Sequence, residues 1–263
     1  VKLSKFLAAV LLTGAVGCLP AMAAEQLITI PTRPGVTQSF YVTDPARPPV
    51  ASLILLPGSQ GKLSNYGPAD LRHGNFLVRS RDLFVARGFT VAVMDVPSDE
   101  ASGMGDSFRV GKAHRGDMAA VIAWLRQHAG APVWLVGTSM GTLSAANGGT
   151  LEAGGPDGIV LTSSVTRTSK RVQNSVYDAG PNLVKVPTLL VHNREDGCVI
   201  CPFSDVPDLL DRFKNAPRKQ LIAVQGGATP ISEPCEALSR HGYLGIENQV
   251  VTAITEWITA NQP

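Results

Sequence analysis

Charged side chains are scarce in this chain of 263 residues: 23 Lys and Arg against 21 Asp and Glu, 17 % of the whole. No basic run and no basic-aromatic stripe occurs, which argues against a nucleic-acid partner. Past the first twenty or so positions no apolar stretch is long enough to cross a bilayer as a helix. Internal repeats, low-complexity blocks and linkers are missing too. The length suits one large α/β domain, so 24–263 is expected to fold as a single unit. Cysteine is limited to four residues, and where they fall matters.

The strongest apolar stretch comes first. "FLAAVLLTGAVG" (Phe6 to Gly17) follows Lys2 and Lys5 and ends before Pro20 and the small-x-small triplet Ala21-Met22-Ala23. That order predicts a secretory signal over 1–23, cut after Ala23. A lipid anchor at Cys18 is the alternative, because "AVGC" loosely resembles a lipobox. Cleavage removes two lysines and no acid, so the formal charge of +2 falls to zero. The mature chain is expected in the periplasm or outside the cell, with no membrane span.

Export changes how Cys198, Cys201 and Cys235 read, since a disulfide is the default in an oxidising compartment. The C-x-x-C of "CVICP" lies too late in the chain for a thioredoxin-like redox pair. A zinc site would need a second ligand pair, and only Cys235 and His241 are near. Closing about 35 residues between Cys201 (or Cys198) and Cys235 stabilises by roughly 3–4 kcal/mol, against about 2 kcal/mol for a strained Cys198–Cys201 loop. A long bridge to Cys235 is therefore expected, from Cys201 first and Cys198 second. Which thiol stays free is left open.

Hydrophobic patterning supplies the elements. "LITIP" and "SFYVT" alternate like an antiparallel strand pair across "TRPGVTQ". "ASLILLP", "FTVAVMD", "PVWLVGT", "GIVLTSS", "PTLLVHN" and "KQLIAV" read as strands, the apolar runs marking those buried on both faces. "NFLVRSRDLFVARG", "DMAAVIAWLRQHAG", "SMGTLSAANGG", "DVPDLLDRFKNA" and "GIENQVVTAITEWITAN" read as helices. The alternation predicts a doubly wound, mostly parallel sheet, α/β in class, with the antiparallel pair at its start. Four long loops, Ser59 to Asn75, Val96 to Ala113, Ser164 to Val186 and Gly226 to Tyr243, leave carboxyl ends of strands, where ligands gather in such sheets.

One strand-to-helix junction carries chemistry. "GTSMG" (137–141) is G-x-S-x-G between a buried strand and a helix of small residues, the nucleophile-elbow pattern. Such a bend lifts Ser139 clear of the sheet, while Gly137 and Gly141 let neighbouring backbone come close. A serine needs a base, and histidine is the usual one. Of five histidines, His128 ends a helix, His192 lies inside a strand as a packed residue, and His73 and His114 precede the serine. His241 alone follows the last strand, as the order serine, acid, histidine requires. Asp196, just past "TLLVHN", is the expected acid that holds the imidazole. Glu195 is its main rival and Asp178 a distant one. Oxyanion donors are expected at Met140 N–H and in the glycine-rich turn after "ASLILLP", at Ser59 ahead of Gln60.

From "ASLILLPGSQG" through "GTSMG" and "VHNRED" to "HGY" the chain resembles the α/β-hydrolase superfamily. It departs at Pro57-Gly58, where many members carry His-Gly. The resemblance implies hydrolysis of an ester or related acyl bond through an acyl-enzyme, on a small-molecule ester, with no cofactor or metal. A peptidase or thioesterase on the same triad, or a non-catalytic binding protein of this fold, are the competing readings. "DGCVICP…PC…HGY" looks like exported bacterial members. About twenty residues separate "LTSS" from the next strand, too few for a multi-helix cap, and the loop from Asp95 to Arg115 is expected to wall the site. Nothing in the sequence bears on oligomeric state.

Overall fold

The computed structural model describes residues 24–63 and 74–263. The expected signal segment, Cys18 and His73 lie outside the described residues. Strand β1 (Gln26–Arg33) turns at Pro34-Gly35 into β2 (Val36–Thr43), with Gly35 at φ 72°. Then come β3 (Ser52–Leu56), helices α1 (Phe76–Arg79) and α2 (Arg81–Val85), and β4 (Thr90–Pro97). They are followed by α3 (Asp106–Arg109), α4 (Lys112–Ala129), β5 (Val133–Thr138), α5 (Gly141–Gly148) and β6 (Gly158–Thr162). The chain closes with β7 (Thr188–Asn193), α6 (Val206–Arg212), β8 (Lys219–Val224) and α7 (Glu247–Ala260).

These strands form one eight-stranded sheet in the order β1-β2-β4-β3-β5-β6-β7-β8. β2 is antiparallel to both β1 and β4, and the remaining pairs are parallel, so among the described strands β2 alone runs backwards. The expected antiparallel start and parallel remainder are both present. Every residue of β3, β5, β6 and β7 is buried, as continuous apolar runs in a sheet covered on both faces should be. Alternate residues serve opposite layers. Ile54, Leu56 and Leu135 pack with Met118, Leu143 and Leu209 from α4, α5 and α6. Leu53, Leu55, Trp134 and Val136 pack with Phe76, Phe84 and Ile254 from α1, α2 and α7. Among the described residues no helix is long and apolar enough to cross a membrane.

Two helices depart from the sequence expectation. The "NFLVRSRDLFVARG" segment is broken at Ser80 (φ −97°, ψ 2°) into α1 and α2. The arginines on either side take different partners. Arg79 bonds Glu247 and the Gly242 carbonyl; Arg81 bonds Glu25 and the Val78 carbonyl. α4 begins at Lys112, earlier than the apolar spacing from Asp117 suggested. Its first turn buries His114, whose ring nitrogens have no hydrogen-bond partner among the described residues.

That histidine yields a stability prediction. Burial, then the charges of Arg109 and Arg33, push the His114 imidazole down to about 3. Its folded value thus lies below the unfolded one of about 6.5. Above that pH the ring is neutral in both states. As pH falls, the unfolded chain takes the proton first, so stability is lost from about 6.5 downward toward 3. Urea unfolding should show a falling midpoint between pH 7 and 5, and His114→Phe should flatten that fall. An equal slope in the variant would contradict this account.

Candidate active site

Ser139 occupies the tight turn between β5 and α5 with φ 52°, a left-handed conformation costly for a residue with a Cβ. The turn is pinned on both sides: Ser139 N–H donates to Thr162 O (3.1 Å), and Ser139 O accepts from Thr142 N–H (2.9 Å) and its hydroxyl (2.6 Å). The flanking glycines are required sterically. A Cβ on Gly137 would run into Gly141 O, and one on Gly141 into Leu56 O. The result projects the serine off the end of the sheet at the N-terminus of α5, whose dipole favours negative charge there.

His241 lies between β8 and α7. Its N–H donates to Ser239 Oγ (3.1 Å), and its carbonyl accepts from Ser163 Oγ (2.7 Å). Tyr243, left-handed at φ 58°, donates to Val191 O (2.8 Å) and accepts from Ser163 N–H (3.0 Å). These bonds fasten the histidine loop to the ends of β6 and β7. His241 Nδ1 is 2.9 Å from Asp196 Oδ2. Its Nε2 is buried and has no hydrogen-bond partner among the described residues, so no direct bond joins it to Ser139 Oγ. Both side chains line one cleft of ≈ 390 Å³.

The Asp196 side chain is buried and accepts two hydrogen bonds, from His241 to Oδ2 and from Cys198 N–H to Oδ1 (2.9 Å). His192 Nε2 also lies 3.2 Å from Oδ2. Burial alone would raise the carboxyl; the contacts from His192 and His241 outweigh it and hold it at about 2. An ionised Asp196 can only accept, so Nδ1 of His241 carries the proton and Nε2 keeps its lone pair. His192 is buried in β7 as the sequence suggested. Its Nε2 is also 2.9 Å from Cys201 O; both neighbours are acceptors, so Nε2–H donates. A second imidazole on the acid was not legible in the sequence, although the spacing His192-x-x-x-Asp196 held the signal. The rival acids are engaged elsewhere. Glu195 faces Arg240 (3.5 Å), and Asp178 caps Ser175.

The disulfide corrects the expected pairing. Cys198, not Cys201, is bonded to Cys235, with Cα atoms 4.5 Å apart, and Cys201 is a buried free thiol. Loop entropy could not choose, because the candidate bridges close loops of nearly equal length. Side-chain direction decided. Cys198 sits on the Asp196 turn facing the histidine loop, whereas Cys201 points into the core with no exposure. Burial, then the Asp196 charge, pushes the Cys201 thiol well up, which makes it unreactive. Donor atoms of Cys198, Cys201 and His241 gather within 4.8 Å of one another, but in the bridged protein Cys198 has no thiolate to offer a metal.

Ser59 is also left-handed, at φ 52°. A Cβ on neighbouring Gly58 would lie 2.8 Å from Ser139 Cβ, so this turn presses directly on the serine. The N–H groups of Ser59, Gln60 and Met140 donate to no acceptor among the described residues. The cleft is lined by 57–63, Gly74 to Phe76, Val78, and the 232–242 segment, together with Thr138 and Ser139. The loop from Asp95 to Arg115, expected as a wall, contributes no lining residue. It braces the 58–63 segment from behind: Asp95 Oδ1 accepts from Leu63 N–H (2.8 Å), and Met104 N–H donates to Gln60 O (2.9 Å). Asp99 and Asp106 of this loop hold Arg33 and the Gln173-Asn174 backbone.

Neither a family model nor a curated protein matches the sequence. Solved structures do. The Pyrococcus furiosus esterase Pf2001 aligns with TM-score 0.67 at 16 % identity, over 91 % of this chain and 92 % of that one. Xanthomonas campestris XC6422, a lidless α/β serine hydrolase, aligns with TM-score 0.62 at 16 % identity, over 91 % and 95 %. Est1E from Butyrivibrio proteoclasticus with ferulic acid bound aligns with TM-score 0.62 at 12 % identity, over 89 % and 98 %. The chain has the α/β-hydrolase fold, with no lid among the described residues. At these identities the likeness speaks for the fold, and the chemistry must come from the site.

Proposed function

We propose that this protein is a serine hydrolase that cleaves small carboxylic esters, with Ser139 as nucleophile, His241 as base and Asp196 as the acid that orients it. One observation carries the reading. A strained serine at the sheet's end and a histidine with a free Nε2, its Nδ1 held 2.9 Å from a buried carboxylate, face the same cleft. Ser139 Oγ attacks the ester carbonyl and gives its proton to His241 Nε2. The imidazolium is stabilised by Asp196. Amides of Met140 and the 58–60 turn receive the oxyanion. His241 then protonates the departing alcohol, and water repeats the sequence on the acyl-enzyme.

A cleft of ≈ 390 Å³ favours acyl and alcohol groups of modest size. The ferulic acid held by Est1E makes hydroxycinnamate esters worth including among test substrates. Export fits as well, because the Cys198–Cys235 bridge belongs to an oxidising compartment. A fluorophosphonate probe should label wild type at Ser139 and leave Ser139→Ala unlabelled. In a panel of p-nitrophenyl esters, thioesters and aminoacyl anilides, the oxygen esters should turn over fastest. Preference for anilides or thioesters would reassign the substrate class, and absent labelling would leave a binding protein.

A further inference from the structure

Arg109, at the end of α3, is completely buried and has no carboxylate partner among the described residues. Leaving a cation unpaired in a core is costly, and stability alone gives no reason for one here. Its contacts are specific. Nη1 donates to Ser144 Oγ on α5 (2.9 Å); Nη2 donates to Pro57 O (3.2 Å) and Ser59 O (3.1 Å). Its own carbonyl accepts from Asn147 Nδ2, also on α5 (2.9 Å). The guanidinium thus links the helix behind the nucleophile to the turn opposite it. Gly61, at φ +76°, closes over it: a Cβ there would lie 2.7 Å from Nη2.

The turn has three successive peptide units, and each carbonyl is held. Pro57 O and Ser59 O point at Arg109; Gly58 O accepts from Gly61 N–H (3.0 Å). In a trans peptide the N–H points opposite to the C=O. Holding the three carbonyls therefore sets the directions of the Gly58, Ser59 and Gln60 amides. Burial pushes Arg109 down only to about 10, so it stays charged at neutral pH. A fixed positive charge behind preorganised donors is worth most in a water-poor site, where negative charge develops in the transition state.

We propose that Arg109 is the positioning residue of the oxyanion turn, drawing the Pro57 and Ser59 carbonyls away from the cleft so that the turn's amides face the developing oxyanion. This rests on the hydrolase reading above. The test compares wild type, Arg109→Lys and Arg109→Met on a p-nitrophenyl ester. It adds inhibition by a trifluoromethyl ketone, which forms a tetrahedral anion on serine, and by the matching methyl ketone, which stays planar. Arg109→Met should lose about 10²-fold in kcat, the scale of one lost oxyanion donor. KM and methyl ketone affinity should stay within about threefold, as expected when an interaction acts only in the transition state. Trifluoromethyl ketone affinity should fall with kcat, and Arg109→Lys should recover part of both. Unchanged kcat, or equal weakening of both ketones, would overturn the assignment. Should Arg109→Met fail to fold, the same split in Arg109→Lys decides. Failure of the hydrolase reading is visible separately, as a wild type that neither labels at Ser139 nor turns over ester.

Discussion

Ser139→Ala is expected to lower kcat by about 10⁶ with the fold intact, and His241→Ala by a similar factor, because the pair acts as one unit. Asp196→Ala should cost less, about 10⁴, since the base survives but loses its fixed tautomer. The elbow geometry adds a signature that a buried structural serine would lack. Ser139 holds φ 52°, and a left-handed residue with a Cβ is strained by about 1–2 kcal/mol. Ser139→Gly should therefore be as inactive as Ser139→Ala yet raise the midpoint of thermal unfolding. Kinetics with a p-nitrophenyl ester and calorimetry on the same samples read both quantities. An Asp196→Ala variant within tenfold of wild type would move the acid elsewhere, and a destabilised Ser139→Gly would remove the strain argument.

Breaking the Cys198–Cys235 bridge should depress the rate well below the melting temperature. The bridge spans 37 residues, and a loop of that size contributes roughly 4 kcal/mol through the unfolded chain. Its local effect is of another kind. It joins the turn whose Cys198 N–H holds Asp196 Oδ1 to the loop carrying His241. Without it, the Asp196–His241 contact, the Glu195–Arg240 pair and the bonds through Ser163 and Tyr243 are left to fix their separation. Misplacing catalytic groups by about 1 Å can cost about 10²-fold. Cys198→Ser and Cys235→Ser should each lose about 10- to 100-fold in kcat at a temperature where both remain folded by circular dichroism. Cys201→Ala, which removes a free thiol, should stay close to wild type. Unchanged kinetics in a sample proven fully reduced by thiol titration would refute the coupling. Loss in Cys201→Ala but not Cys198→Ser would instead restore the pairing first expected from the sequence.

Much of the architecture was written in local patterns. Continuous apolar runs such as Ser52–Leu56 and Thr188–Asn193 could only be strands covered on both faces, and they are. "GTSMG" specified its own geometry, because the two glycines and the left-handed serine follow from sterics within a few residues. Where the reading failed, the deciding contacts were remote in sequence. Ser80 ends a helix between arginines held by Glu247 and Glu25. The loop after β4 looked like a cleft wall and is a brace, because Met104 and Arg109 turn toward the 57–61 turn.

The chain's sequence by itself determined the strand-helix alternation, the tight turn at Ser139 and the order of the three candidate residues. Each of these depends on periodicity or on sterics over a few residues. Tertiary structure alone decided that Cys198 rather than Cys201 meets Cys235, that His192 shares Asp196, and that a buried Arg109 grips the 57–59 turn. Those depend on which way a side chain points once distant segments pack, and no local pattern encodes that direction.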